Sequence, residues 1–168
     1  MRLAVSLARQ NVRRGTGGPF GALVVASETG QVISGGVNLV VASHNSTAHA
    51  EMLALQLAEE RLGTYDLGAA PGGPYELVSS VEPCVMCLGA VLWSGISTLV
   101  CGARDEDAHA IGFDEGPKPA HWVDALGSHG VGVVLDLLRD ESAAVLSEYQ
   151  AGGGAVYNAS RTLLAAAR

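Results

Sequence analysis

Thr47-Ala48-His49-Ala50-Glu51 and, further along, Glu82-Pro83-Cys84-Val85-Met86-Cys87 are the two stretches on which the reading of this chain turns. Together they offer one imidazole, two thiolates and a carboxylate that need not be a ligand. Imidazole and thiolate suit Zn²⁺, which prefers four tetrahedral nitrogen or sulfur ligands; three from protein leave a position for water, whereas a closed structural site fills all four. The remaining cysteine, Cys101, lies in the apolar run Thr98-Leu99-Val100-Cys101-Gly102. That run reads as a buried strand, so Cys101 is expected to be a core thiol and the metal site to stay open. With His49 and Glu51 in the first turn of one helix, their side chains diverge, which keeps the carboxylate off the coordination face but within reach of a water at the metal. Zinc lowers the pKa of such a water from about 15.7 towards about 7, and Glu51 is placed to take that proton and pass it to a leaving amine.

The segments around these motifs alternate between helix and strand. Leu3, Leu7, Ala8 and Val12 have helical spacing, and residues 21–27 and 31–37 read as strands around the turn Glu28-Thr29-Gly30. After a polar loop over 43–47, Thr47 is expected to N-cap a helix over 48–62 that stops at Gly63. A strand over 75–81 runs into the Pro-Cys element, where Cys84 and Cys87 open a third helix whose free N–H groups favour thiolate over thiol. There follow a strand over 98–102, an irregular stretch to Pro119, a short helix near 120–126, a strand over 131–137 and a helix over 141–151. Such alternation argues for an α/β fold, a three-layer α/β/α sandwich.

At 168 residues, with nothing that resembles a linker or a repeat, residues 1–168 read as one domain. The formal net charge is −7 and Lys118 is the only lysine. A grip on polynucleotide normally needs a basic patch, so the composition argues against a nucleic-acid partner, and Arg9, Arg13 and Arg14 read as a solvated helix end. The longest apolar stretches, 88–93 and 131–135, are far short of a membrane span, and the arginines scattered through 1–14 do not make an export signal. The free thiols suit a reducing compartment, so the expected location is cytoplasmic. With 48% hydrophobic and only 16% charged residues, some apolar helix surface is expected to be covered by a partner.

His49-Ala50-Glu51 with Pro83-Cys84-Val85-Met86-Cys87 resembles the zinc-dependent deaminases of nucleobases and nucleosides, the cytidine deaminase-like superfamily. The resemblance implies one Zn²⁺ per chain with a bound water or hydroxide, held by His49, Cys84 and Cys87, with Glu51 as general acid/base. It also implies a mixed five-stranded sheet, both zinc-binding helices on one face, and a homodimer, with Trp93 directed away from the zinc and towards a subunit interface. Three segments resemble the bacterial guanine deaminase branch more closely: Gly36-Val37-Asn38, Ile111-Gly112-Phe113-Asp114, and the order Glu-Pro-Cys-Val-Met-Cys-Leu-Gly-Ala over 82–90. On that likeness Asn38, Ala50 and Phe20 are substrate contacts, and Asp114 both binds the purine and assists proton transfer. A single carboxylate can accept side by side from the ring N–H and exocyclic amine of guanine. Tyr157 and Trp122 are candidate lids over the pocket. The expected reaction is hydrolysis of guanine to xanthine and ammonia. The alternatives are deamination of cytosine, of a nucleoside or of another aminated ring such as a triazine or pterin, a tRNA adenosine deaminase, and a zinc-stabilised scaffold without turnover.

Overall fold

The computed structural model describes residues 1–159. Its elements are α1 (Arg2–Arg13), β1 (Gly21–Ala26), β2 (Gln31–Val37), α2 (Val40–Ser43), α3 (Ala50–Leu62), β3 (Tyr75–Val81), α4 (Val85–Ser94), β4 (Thr98–Ala103), α5 (Asp105–Ala110), α6 (Trp122–Ser128), β5 (Gly132–Val134) and α7 (Arg139–Ala151). The five strands form one mixed sheet in the order β2-β1-β3-β4-β5. β1 runs antiparallel to β2 and β3, while β3, β4 and β5 are parallel.

Helices cover both faces, which is why the central strands β1, β3 and β4 are buried at nearly every position rather than alternately. Residues of one parity, Val24, Leu77, Leu99 and Cys101, pack beneath Ala54, Leu55 and Ala58 of α3 and Leu88 and Val91 of α4. Those of the other parity, Leu23, Val25, Val78 and Val100, meet Ala4 of α1, and Val5 and Ala8 of α1 meet Val145 of α7. The expected three-layer sandwich is therefore present, with both motif-bearing helices on the same face. Among the described residues no helix is long and apolar enough to cross a membrane.

Close approach of β2 to α3 depends on Gly36, where a methyl group would overlap Ala50 O and Ala54 N. Gly36→Ala is expected to cost about 1–3 kcal/mol through overpacking against helix backbone that cannot yield. At about 2–4 °C per kcal/mol for a chain of this size, thermal unfolding should record a midpoint lower by roughly 2–12 °C.

Several boundaries differ from the sequence reading. Thr47 does not cap α3: its hydroxyl donates to Asn45 Oδ1 at 2.8 Å, and the N-cap is His49, whose side chain makes no cap hydrogen bond. The stretch read as irregular up to Pro119 contains α5, whose first turn carries Asp105, Glu106 and Asp107. Three acidic residues at a helix start complement its dipole, and Asp107 Oδ2 accepts from the Arg104 N–H at 2.7 Å. The strand expected over 131–137 shortens to β5, because the chain turns left-handed at Asp136 (φ 64°) and Leu138 (φ 58°). Trp93 projects from α4 at 86% exposure.

Candidate active site

Two helix starts converge over the carboxyl end of β3. His49 holds the N-cap position of α3 and Cys84 that of α4, both in extended conformation, with Cys87 in the first turn of α4. Each helix thus spends its N-cap on a metal-type ligand and turns its free N–H groups towards the same point. Cys84 Sγ lies 3.5 Å from His49 Nδ1 and 3.6 Å from Cys87 Sγ, and Cys87 Sγ lies 3.7 Å from His49 Nδ1. For a tetrahedral Zn²⁺ with bonds of about 2.3 Å to sulfur and about 2.0–2.1 Å to nitrogen, the edges should be about 3.8 Å between sulfurs and about 3.6 Å between sulfur and nitrogen. The three donors therefore fit zinc without rearrangement, and all their ligand atoms fall within 4.8 Å of one another. Cys101, fully buried beneath the helices, belongs to the core and not to this group.

Charge at the tripod follows from proximity. The hydrogen bond with Cys87 chiefly, and that with His49, bring Cys84 down to about 4 against the opposing effect of burial. Cys87 is pushed far up by sharing its proton with Cys84 and by burial. Burial alone would lower His49, yet its bond to Cys84 and the charge of Glu51 raise it. Glu51, 6% exposed in the first turn of α3, is raised to about 7 by burial first and by the Cys84 charge second. A carboxyl poised there both takes and releases a proton near neutrality.

A cavity of about 250 Å³ opens beside the tripod. That is slightly below the usual range for drug-sized ligands, about 300–1,000 Å³, and suits a small flat ring rather than a polymer. His49, Glu51 and Cys84 form its floor, Phe20 and Phe113 an apolar wall, and Asn38, Glu115, Tyr157 and Asn158 bring polar groups to it. The two phenylalanine rings meet edge to face, with centroids 5.0 Å apart. Asn38 is 2% exposed; its Oδ1 accepts from the Val40 N–H at 3.2 Å, and among the described residues its Nδ2 has no protein partner, so that end is offered to the cavity.

Of the expected substrate residues, then, Asn38 and Phe20 border the cavity and Ala50 does not. Ala50 is fully buried against the β2 backbone, and only its N–H, the first of α3, is left without an intrahelical partner. Asp114 stands exposed at the rim, with Oδ1 accepting from the Gly116 N–H at 2.9 Å. The neighbouring Glu115, which sequence reasoning passed over, is the buried carboxyl, raised to about 8 by burial first and then by the charges of Cys84 and Glu51. No sequence signal tells it from Asp114; it is the structure that buries Phe113 and Glu115 and exposes Asp114.

The two candidate lids part company. Trp122 is a core residue packed with Leu126, and the Lys118 ammonium lies 4.8 Å from its ring centroid. Tyr157 does line the cavity, edge-on to Phe113 with centroids 4.9 Å apart, and its buried hydroxyl has no hydrogen-bond partner among the described residues. It fits there because Gly18 beneath it has no side chain, a methyl at that position overlapping the hydroxyl. The next residue, Asn158, also unforeseen, fastens the tail: Oδ1 accepts from the Asp114 N–H at 3.0 Å and Nδ2 donates to Gly112 O at 2.8 Å. Asn158 sits in the tail that follows α7, and no short-range pattern links it to residues 112–114.

Residues 1–103 match the family model of the cytidine and deoxycytidylate deaminase zinc-binding region. A guanine deaminase from Bacillus subtilis is 41% identical over 115 residues, 68% of this chain and 69% of that protein. The structure of the guanine deaminase from Nitrosomonas europaea is 49% identical and superposes with a TM-score of 0.86, covering 89% of this chain and 82% of the other. A crystal structure containing 2,6-diaminopurine is likewise 49% identical, with a TM-score of 0.88 over 94% of this chain and 82% of that one.

Proposed function

The chain belongs to the cytidine and deoxycytidylate deaminase zinc-binding family, and from that premise we propose that it converts guanine and water to xanthine and ammonia by hydrolytic removal of the amine. The observation that carries the reading is the meeting, over one cavity, of a zinc-shaped tripod and two buried carboxyls raised towards neutrality, Glu51 and Glu115. Zinc at His49, Cys84 and Cys87, one ion per chain, would supply Lewis-acid activation of a water.

This chain's own residues do the rest. Phe20 and Phe113 press against the faces and edge of a flat ring and keep bulk water out. The free Nδ2 of Asn38 donates to a ring acceptor. Glu51 accepts the proton of the attacking water and delivers it to ring N3 as the new C2–O bond forms. Loss of ammonia then needs a second proton on the departing 2-amine, taken from the hydroxyl now on C2, so that C2=O remains and N3 keeps its hydrogen. Glu115 borders the same cavity; in its ionised form it accepts from the donor pair of guanine, and it takes in this reading the part that sequence reasoning gave to Asp114. The exposed Asp114 instead shapes the rim through Gly116.

The acidic composition supports a small base over tRNA, since Lys118 is buried in ion pairs and Arg9 is engaged by Glu148 at 2.9 Å. We further read the chain as a single cytoplasmic domain and a homodimer, its exposed Trp93 and Leu92 being the apolar face such a dimer would cover.

Ammonia release by the zinc-loaded protein against guanine, guanosine, cytosine, cytidine, adenine and aminated triazines tests the substrate. Guanine should be turned over at least about a hundredfold faster than cytosine, because a site built to pair particular N–H donors rejects rings that lack them, and faster than guanosine, whose ribose a cavity of about 250 Å³ has little room to take. Preference for another ring would retain the hydrolytic chemistry and discard guanine. Silence on every free base, with turnover of tRNA, would overturn the small-molecule reading.

A further inference from the structure

We propose that Lys118, the only lysine of the chain, is a positioning residue that fixes the Glu115 carboxyl relative to the metal ligand Cys84; this rests on the reading of Glu115 given above. The Lys118 side chain is 8% exposed. Its ammonium donates to Glu82 Oε2 at 3.0 Å and to Pro83 O at 3.3 Å, pairs with Asp105, and faces the Trp122 ring. A buried ammonium is tolerated only when so fully paired. It does not border the cavity, so any effect on chemistry passes through other residues.

Sequence position decides which ones. Residues 115–118 lie on residues 82–85 and are attached at both ends: the Val85 N–H donates to Glu115 O at 3.0 Å, and Lys118 grips Glu82 and Pro83. Between them the chain turns at Gly116 (φ 77°), packed so closely on Val85 that a methyl there would strike its side chain. The Lys118 N–H closes the turn on Gly116 O at 2.8 Å. Cys84 lies inside the clamped segment. Glu115 therefore owes its distance from the tripod to a staple whose far end is Lys118. Glu82 would not be left unpaired by loss of the ammonium, because Arg104 holds its other oxygen at 3.0 Å.

A double-mutant cycle with Lys118→Met and Glu115→Gln separates positioning from general support, because residues that act as a unit are not additive. Methionine keeps the length and apolar stem against Trp122. We expect K118M to bind one zinc, to keep KM within about twofold, and to lose about tenfold to a hundredfold in kcat, the scale of a misplaced catalytic group. In the E115Q background the same change should cost less than about twofold. An equal loss in both backgrounds would make Lys118 a structural residue and overturn the inference while leaving Glu115 its role. Wild-type kcat in E115Q would overturn both. Should K118M fail to fold, Lys118→Arg keeps the charge but not the bond to Pro83 O, and the cycle is run with it; a several-fold loss confined to the Glu115 background is expected, and an additive one sinks the proposal.

Discussion

Glu51→Gln is expected to lower kcat by about a hundredfold to ten-thousandfold while zinc content stays at the wild-type level. At about 1.4 kcal/mol per decade, that is roughly 3–5.5 kcal/mol of transition-state stabilisation. The size follows from where the carboxyl lies. Glu51 is 6% exposed, and burial, reinforced by the Cys84 charge, brings it to about 7. Protonation and release are then close to balanced at neutral pH, which is the condition for moving two protons in one turnover. Glutamine keeps the volume, fits the same buried slot and leaves His49, Cys84 and Cys87 untouched, so neither the fold nor the tripod should register the change. It donates and accepts hydrogen bonds but cannot take up and release a proton. Steady-state kinetics beside metal analysis of the same sample decides the matter: near-normal kcat with full zinc would remove Glu51 from the chemistry, and loss of zinc would make it a ligand.

How the site could be read from the chain depended on how local each part was. His49, Glu51, Cys84 and Cys87 stand in two short segments whose spacings already imply their geometry, because consecutive positions at a helix start have few arrangements. β2 and β3 were legible to the residue, the one starting at the turn Glu28-Thr29-Gly30 and the other ending at the Pro-Cys element. The N-cap of α3 was misplaced for a physical reason: Thr47 has the preferred capping chemistry, but its hydroxyl serves Asn45, and the capping position is filled by a residue selected for its imidazole. Asp114 was preferred to Glu115 through likeness and through the fit of one carboxylate to the donor pair of guanine, an argument that serves either residue; both border the cavity, and only folding buries Glu115 while leaving Asp114 exposed. What no short window contains is long-range pairing. Lys118 meeting Glu82, and Asn158 meeting Gly112, join residues 36 and 46 positions apart. Trp122 and Tyr157 are both plausible lids as isolated aromatics, and only the packing of α6 into the core under Lys118 tells them apart.

Stripping zinc with a chelator should abolish turnover, to below about 1% of the loaded enzyme, without unfolding the chain. The tripod lies over the end of the sheet, at the helix starts, while the two apolar layers under α3 and α4 and under α1 and α7 are complete without it. Burial of Leu77, Leu99, Leu146 and Val91 owes nothing to the metal. Linkage nevertheless makes bound zinc stabilising: at a free concentration a hundredfold above Kd it adds about 2.7 kcal/mol. For a chain of this size that corresponds to a fall in Tm of roughly 5–11 °C on removal, with the far-ultraviolet circular dichroism of the native state retained at 25 °C. Adding back one equivalent of Zn²⁺ should restore both Tm and turnover, since the three ligand atoms already stand at tetrahedral edge distances and need little rearrangement to receive it. Collapse of the circular dichroism on chelation would identify the metal as the element that holds the fold, as in a zinc-stabilised scaffold. Undiminished ammonia release from the stripped protein would take the chemistry away from the tripod altogether.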